Sequence, residues 1–150
     1  MDLTPPPPSS PAGERVVSPS LLRGGRIIFV SIIPESDPCS FGGTSWLYEL
    51  DALSGSRLST AQFDVNGDGK IDKADLVQIL DTNNDGVVDT NDDVPPSGKE
   101  LPIGISKNPS VIPAGDYDYK YSSGTTGGIA VTKEKGAEES GRLSWRQLQY

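Results

Sequence analysis

The chain contains no histidine and a single cysteine, Cys39. The first absence removes zinc sites built from His and Cys, together with every Ser-His or Cys-His catalytic pair. The second removes any disulfide within the chain. Cys39 is left to pair with a partner chain or a missing segment, or to stand as a partly buried free thiol in a Gly/Ser-rich loop. Clusters of Lys and Arg are also lacking, and phosphate contacts need them, so nucleic acid is excluded as a partner. No membrane span is expected, because the longest apolar run, Ile27 to Val30 and on to Ile33, is strand-sized and broken by Ser31. The start, Met1-Asp2-Leu3-Thr4 followed by Pro5 to Pro8, has neither the basic nor the apolar region of a signal peptide, so no export signal is expected in this chain.

What is present is turn-forming and acidic. Of 150 residues, 17 are Gly and 13 are Pro, while hydrophobic types make up only 34%. That balance breaks helices repeatedly and favours short strands joined by turns, so the expected fold is mainly β with a thin core. The net charge of −8 is local: the window from Asp64 to Asp93 holds nine Asp and two Lys, which accounts for −7 of it. Such a concentration points to a site for a cation rather than to a generally acidic surface.

Four segments are expected. Residues 1–13 are a Pro/Ser-rich disordered linker. Residues 14–61 read as hairpins: Arg15 to Ser18 leads through Leu21-Leu22 and the Arg23-Gly24-Gly25 turn into the strand Arg26 to Ile33. A second hairpin pairs Ser45 to Leu50 with a return over Ser56-Arg57-Leu58. Four short strands in about 45 residues are the size of one propeller blade, and Leu47-Tyr48-Glu49-Leu50-Asp51-Ala52-Leu53-Ser54-Gly55 fits the blade-closing pattern of quinoprotein repeats. Residues 62–96 form an acidic insertion. Residues 97–150 return to β texture, with strands at Ser110 to Ile112, Tyr117 to Tyr121 and Gly128 to Thr132, a charged mobile stretch over 133–140, and a short helix or closing strand from Arg142 to Leu148. The fold class expected is a partial β-propeller of about one and a half to two blades, with an inserted tandem EF-hand-like calcium loop. Trp46 and Trp145 are assigned to sheet packing.

The insertion carries the chemistry. Read as a twelve-residue EF-hand loop, Asp64 to Asp75 places oxygen ligands Asp64, Asn66, Asp68, Asp72 and Asp75 at positions 1, 3, 5, 9 and 12. Lys70 at position 7 ligates through its backbone carbonyl, Gly69 at position 6 supplies the sharp turn, and Ile71 is the apolar anchor. The second loop repeats this with Asp81, Asn83, Asp85, Val87 (carbonyl), Asp89 and Asp92, turned at Gly86 and anchored by Val88. Two matches seventeen residues apart are hard to obtain by chance. Four carboxylates in each loop repel one another without a cation, and an all-oxygen flexible set selects Ca2+ over Mg2+. One calcium ion is expected, and by the repeat a second. Only Leu76 to Leu80 separates the loops, too little for the long helices of a calmodulin-like sensor.

From Gly13 to Val17, Gly25 to Phe29, and Asp37-Pro38-Cys39-Ser40-Phe41-Gly42-Gly43-Thr44-Ser45-Trp46-Leu47-Tyr48-Glu49-Leu50-Asp51, followed by Phe63 to Asp72 and the ending Gly141 to Leu148, the chain resembles the C-terminal part of the PilY family. These are type IV pilus tip-associated adhesin and biogenesis factors. The resemblance implies a modified β-propeller at the pilus tip, at the cell surface, in the periplasm or on the outer membrane. It also implies calcium binding linked to pilus extension and retraction, twitching motility and surface attachment. Implied partners are minor pilins, host or abiotic surfaces, and the missing propeller blades of a longer chain. The family's nine-residue calcium loop falls on Asp64, Asn66, Asp68, Lys70 and Asp72; Asp75 and the second loop rest on spacing alone. Two other readings compete. A dockerin-like calcium-dependent protein-binding module is suggested by Asp64 to Lys70, but it needs a helix after each loop and a longer spacer. A piece of a quinoprotein dehydrogenase is suggested by Leu47 to Gly55, but no cofactor-contacting set accompanies it, and no enzyme is expected.

Overall fold

The computed structural model describes residues 13–35, 37, 42–78 and 81–136. Among the described residues, eight strands form two antiparallel sheets. The described helical residues are two 3₁₀ turns, Lys73–Asp75 and Thr90–Asp92.

The first sheet is built on two long neighbours, β3 (Arg26–Pro34) and β4 (Gly43–Asp51), paired from Arg26↔Asp51 to Pro34↔Gly43. Their β-branched and aromatic content suits a pleated, half-buried surface. On the far side of β3 lie β1 (Arg15–Val16) and β2 (Leu21–Arg23), which occupy successive parts of the same edge as one interrupted strand. Asn108 fills the interruption: its side-chain oxygen accepts from the Val30 N–H at 3.2 Å and from the Ser18 hydroxyl. Beyond β4 lies β5 (Gly98–Leu101), so a chain that leaves β4 at Asp51 returns beside it only after the acidic insertion. The Gly24-Gly25 hairpin is found as expected, with Arg23 opposite Arg26. The return strand over 56–58 is not. Asp51 takes its place as a turn centre, its carboxylate accepting from the Leu53 and Ser54 N–H groups and the Ser54 hydroxyl. Past this turn the chain makes one bond back, from the Asp51 N–H to the Ser56 carbonyl at 2.9 Å, but forms no strand there, and β5 pairs with β4 over Ser45 to Tyr48.

The second sheet is the meander β6 (Ser110–Ala114), β7 (Tyr117–Ser123) and β8 (Ile129–Lys135). Residues 133–135, expected to be mobile, are the end of β8, and Glu134 is fully buried. Cys39 and Trp145, the linker over 1–12 and the stretch 137–150 lie outside the described residues. Trp46 stacks on Tyr48 at 6.4 Å and Tyr48 on Phe29 at 5.2 Å, across one face of the first sheet.

The other face of the first sheet meets the second. Ile28, Val30, Leu47, Phe63, Leu101 and Ile103 form its apolar centre, with Ala130 of β8 packed against it. Beside this small core the seam is ionic. Arg26 donates to Glu49 at 2.7 Å and to Gln62 at 2.9 Å, Arg23 donates to Asp118 at 2.9 Å, and Lys120 donates to both Glu49 and Glu134. Burial pushes the Lys120 ammonium down to about 8 against the attraction of Glu134, and burial raises Glu134. The second sheet thus turns Asp118, Lys120, Thr132 and Glu134 inward, while Tyr121, Ile129 and Val131 face out.

Candidate metal centre

The insertion enters along the second sheet. Phe63 bridges to Glu134, and the Gln62 carbonyl accepts from the Lys135 N–H at 3.2 Å. Each acidic loop then folds around its own side chains. In the first, the two Asp64 oxygens accept from the Gly67 and Gly69 N–H groups at 2.6 and 2.9 Å. Asn66 accepts from Asp68 N–H, Asp68 from Lys70 N–H, and Asp72 from Ala74 N–H, all within 2.9 Å. The second loop repeats the scheme: Asp81 accepts from Asp85 and Gly86, Asn83 from Asp85, Asp85 from Val87, and Asp89 from Asn91.

Two positions per loop need left-handed backbone. They are Gly67 (φ 79°) and Gly69 (φ 82°) in the first, and Asn84 (φ 61°) and Gly86 (φ 89°) in the second. Asn is the side-chain-bearing residue that tolerates this region best, so position 4 keeps its shape without glycine. The loops are thus near-copies in backbone as well as in sequence. The Val77 and Val94 groups, each thirteen residues from the start of its loop, join them by exchanging N–H···O bonds of 2.9 and 3.1 Å. The position-8 residues are not alike: Ile71 is half-buried, whereas Val88 is 51% exposed.

Position 12 has a distinct job. Asp75 is buried, and its carboxylate accepts from Val65 N–H (2.7 Å), Asn66 N–H (3.3 Å) and Asp72 N–H (2.9 Å). Burial raises its pKa, but these backbone donors together with Lys99 outweigh it and hold the group below its ordinary value. Asp92 repeats the arrangement on Asp89, Thr82 and Asn83, and its pKa is also depressed, first by the Asp89 N–H. Each closes a reciprocal capping box with the Asp that precedes its 3₁₀ turn. These two carboxylates, at the position-12 ligand places of the spacing, are therefore also acceptors for the loop backbone.

The donor chemistry fits calcium. Each loop offers three Asp side chains, one Asn amide oxygen and a peptide carbonyl at positions 1, 5, 9, 3 and 7, all oxygen in a flexible segment. A carboxylate has about four lone-pair directions, so the turn-forming bonds do not exhaust its capacity to coordinate. Among the described residues, no three His, Cys, Asp or Glu side chains converge as a metal cage. The ligands are therefore grouped by the loop, and a cation would have to draw them in.

Two residues with no local signal in the sequence complete the site. Lys99 of β5 donates to the Asp64 carbonyl, and Lys133 of β8 donates to the Gly69 carbonyl at 2.8 Å. The Lys133 ammonium also sits 3.8 Å from the centre of the Tyr117 ring. A lone lysine in a strand gives no warning that it will reach a loop 35 or 64 residues away.

These features define a mainly β protein with an EF-hand-type acidic insertion, and comparison with known proteins agrees. A family profile described as "EF hand" matches residues 61–80, which include the first loop. The type IV pilus biogenesis factor PilY1 of Pseudomonas aeruginosa is 27% identical over 144 residues, 91% of this chain and 10% of that protein. A PilY1 homolog of Xylella fastidiosa is 50% identical over 46 residues, 30% of this chain and 3% of the relative. The crystal structure of the P. aeruginosa PilY1 C-terminal domain shares the fold, with a TM-score of 0.60 at 19% identity over 85% of this chain and 21% of that one. These matches support a PilY-type fragment, similar to the C-terminal domain of a type IV pilus biogenesis factor. It spans about a tenth of the length of the curated P. aeruginosa relative. No helix among the described residues is long and apolar enough to cross a membrane.

Proposed function

We propose that this chain is a calcium-binding piece of a type IV pilus assembly and adhesion protein, and that it binds rather than catalyses. The observation that carries the reading is the duplicated loop: two copies of one oxygen-rich sequence fold into one backbone scheme and are joined at equivalent valines. The ligands we assign are Asp64, Asn66, Asp68, the Lys70 carbonyl and Asp72, and in the second loop Asp81, Asn83, Asp85, the Val87 carbonyl and Asp89. Asp75 and Asp92 brace the loops from behind. When bound, calcium supplies a fixed positive centre that offsets carboxylate repulsion and holds the insertion in one conformation.

In this reading the first sheet is one propeller blade, with β1 and β2 together as its outermost strand, and the second sheet begins another. The remaining blades, minor pilins, and a host or abiotic surface are the partners. Calcium occupancy would act on pilus extension and retraction, twitching and attachment at the cell surface. A dockerin-like module finds less support, because each loop ends in a three-residue 3₁₀ turn and leads into the Val77–Val94 bridge rather than into a helix. Calorimetric titration of the chelator-treated chain with calcium tests the reading. One or two ions with micromolar to millimolar affinity are expected. A flat titration together with unchanged circular dichroism would reject it.

A further inference from the structure

The two acidic loops are alike in themselves but not in their attachment. Among the described residues, the hydrogen bonds of the second loop stay within it, and Val94 just beyond it bonds to Val77. The first loop is gripped from both sheets, by Lys99 of β5 in the first and by Lys133 of β8 in the second. The carbonyls they take belong to positions 1 and 6. Neither is in the ligand set, which uses a carbonyl only at position 7. The lysines therefore hold the loop without competing for the oxygens a cation would need. Lys133 is itself fixed by the Tyr117 ring.

We infer that Lys99 and Lys133 are positioning residues for calcium: they hold the first loop across the seam between the sheets. The first loop is then the tighter site, and a cation bound there ties the second sheet to the first. The inference rests on the calcium reading of that loop. Two effects of opposite sign are at work. An ammonium group near a dication repels it, so a lysine acting only through charge would weaken binding. A lysine that pre-forms the loop removes ordering that binding would otherwise have to supply, and so strengthens it. Because residues 65–70, which carry most of the ligands, are exposed, the high effective dielectric of water weakens the repulsion and positioning outweighs it.

The test uses the full chain and calcium itself. Calcium is titrated calorimetrically into chelator-treated wild type, Lys99→Met, Lys133→Met and Lys133→Arg, and amide exchange in β8 is followed with and without the ion. Methionine keeps the apolar stem against Tyr117 and removes the donor. The expected result is a roughly five- to tenfold weaker tight site for each methionine variant and near-normal binding for Lys133→Arg. Calcium should slow β8 exchange in wild type but not in Lys133→Met. Equal or tighter binding by the methionine variants would show that the lysines act only as charges and would overturn the inference, as would β8 exchange indifferent to calcium in wild type. A wild-type chain that takes up no calcium would instead overturn the calcium reading beneath it. If Lys133→Met loses its near-UV spectrum, Lys99→Met carries the same comparison.

Discussion

Asp75 and Asp68 stand seven positions apart in one loop and should fail in opposite ways. Replacing Asp75 by Ala removes the acceptor of three backbone N–H groups, at 2.7, 3.3 and 2.9 Å. A hydrogen bond to an ionised acceptor contributes about 1.5–3 kcal/mol where it is sheltered. Here the donors lie in a loop that water can enter, and the 3.3 Å bond is long, so the lower end applies to the two short bonds. The loop should lose about 2–3 kcal/mol of local stability, a roughly 30- to 150-fold rise in its opening equilibrium. Amide hydrogen exchange at Val65, Asn66 and Asp72 in the presence of chelator reads this directly. Asp68→Asn should leave the same amides unchanged, because the side-chain oxygen that accepts from Lys70 N–H is retained. It removes one charge from the ligand set and should weaken calcium binding roughly tenfold or more. Exchange within about twofold of wild type in Asp75→Ala would refute the brace. Unchanged calcium affinity in Asp68→Asn would refute the ligand.

Other consequences follow from the seam and the loops. Lys120→Met leaves Glu49 and Glu134 buried without their shared cation and should cost about 3–5 kcal/mol in urea unfolding followed by tryptophan fluorescence. Gly124→Ala would place a methyl 1.9 Å from the Ile103 carbonyl oxygen, where the two sheets join, and should lower stability by about 1–3 kcal/mol in the same assay. Because the folded pKa values of Asp75 and Asp92 are depressed, the stability they add is fully present above the ordinary carboxylate value of about 3.9 and is lost as pH falls through the folded values. Loop amide protection in chelator should therefore hold from neutral pH to about 5 and collapse below about 4, after correction for intrinsic exchange. Protection that instead fades on the alkaline side would contradict the sign.

Strands with a local signature were legible in the sequence. The Gly24-Gly25 turn and the apolar alternation of Arg26 to Ile33 and Ser45 to Leu50 gave β2, β3 and β4, and Tyr/Gly punctuation gave β6 to β8. The pairing of β4 with β5 was not legible, since the 46 residues between them carry no mark of where the chain returns. Nor was the polarity of the second sheet. Alternation in Tyr117-Asp118-Tyr119-Lys120-Tyr121 marks two faces without saying which is inside, and here the charged face is buried because Arg23, Arg26 and Glu49 complement it across the seam. The loops show the same division. Spacing and the glycines fix their outline, whereas the turn of Asp75 and Asp92 onto backbone amides depends on the fold of the whole loop, which a one-dimensional ligand count cannot register.

The single rung between Val77 and Val94 has a consequence for how such an insertion can change length. Residues exchanging both N–H···O bonds bring their Cα atoms to about 5.5 Å. The seventeen residues 78–94 therefore leave and rejoin the chain at nearly one point. A deletion of that unit joins Val77 to Pro95 with the path toward β5 still open, and a duplication inserts another loop at the same hinge. The sheets would feel neither event. Length here is free to vary in whole repeats, so the number of loops can evolve apart from the scaffold that carries them.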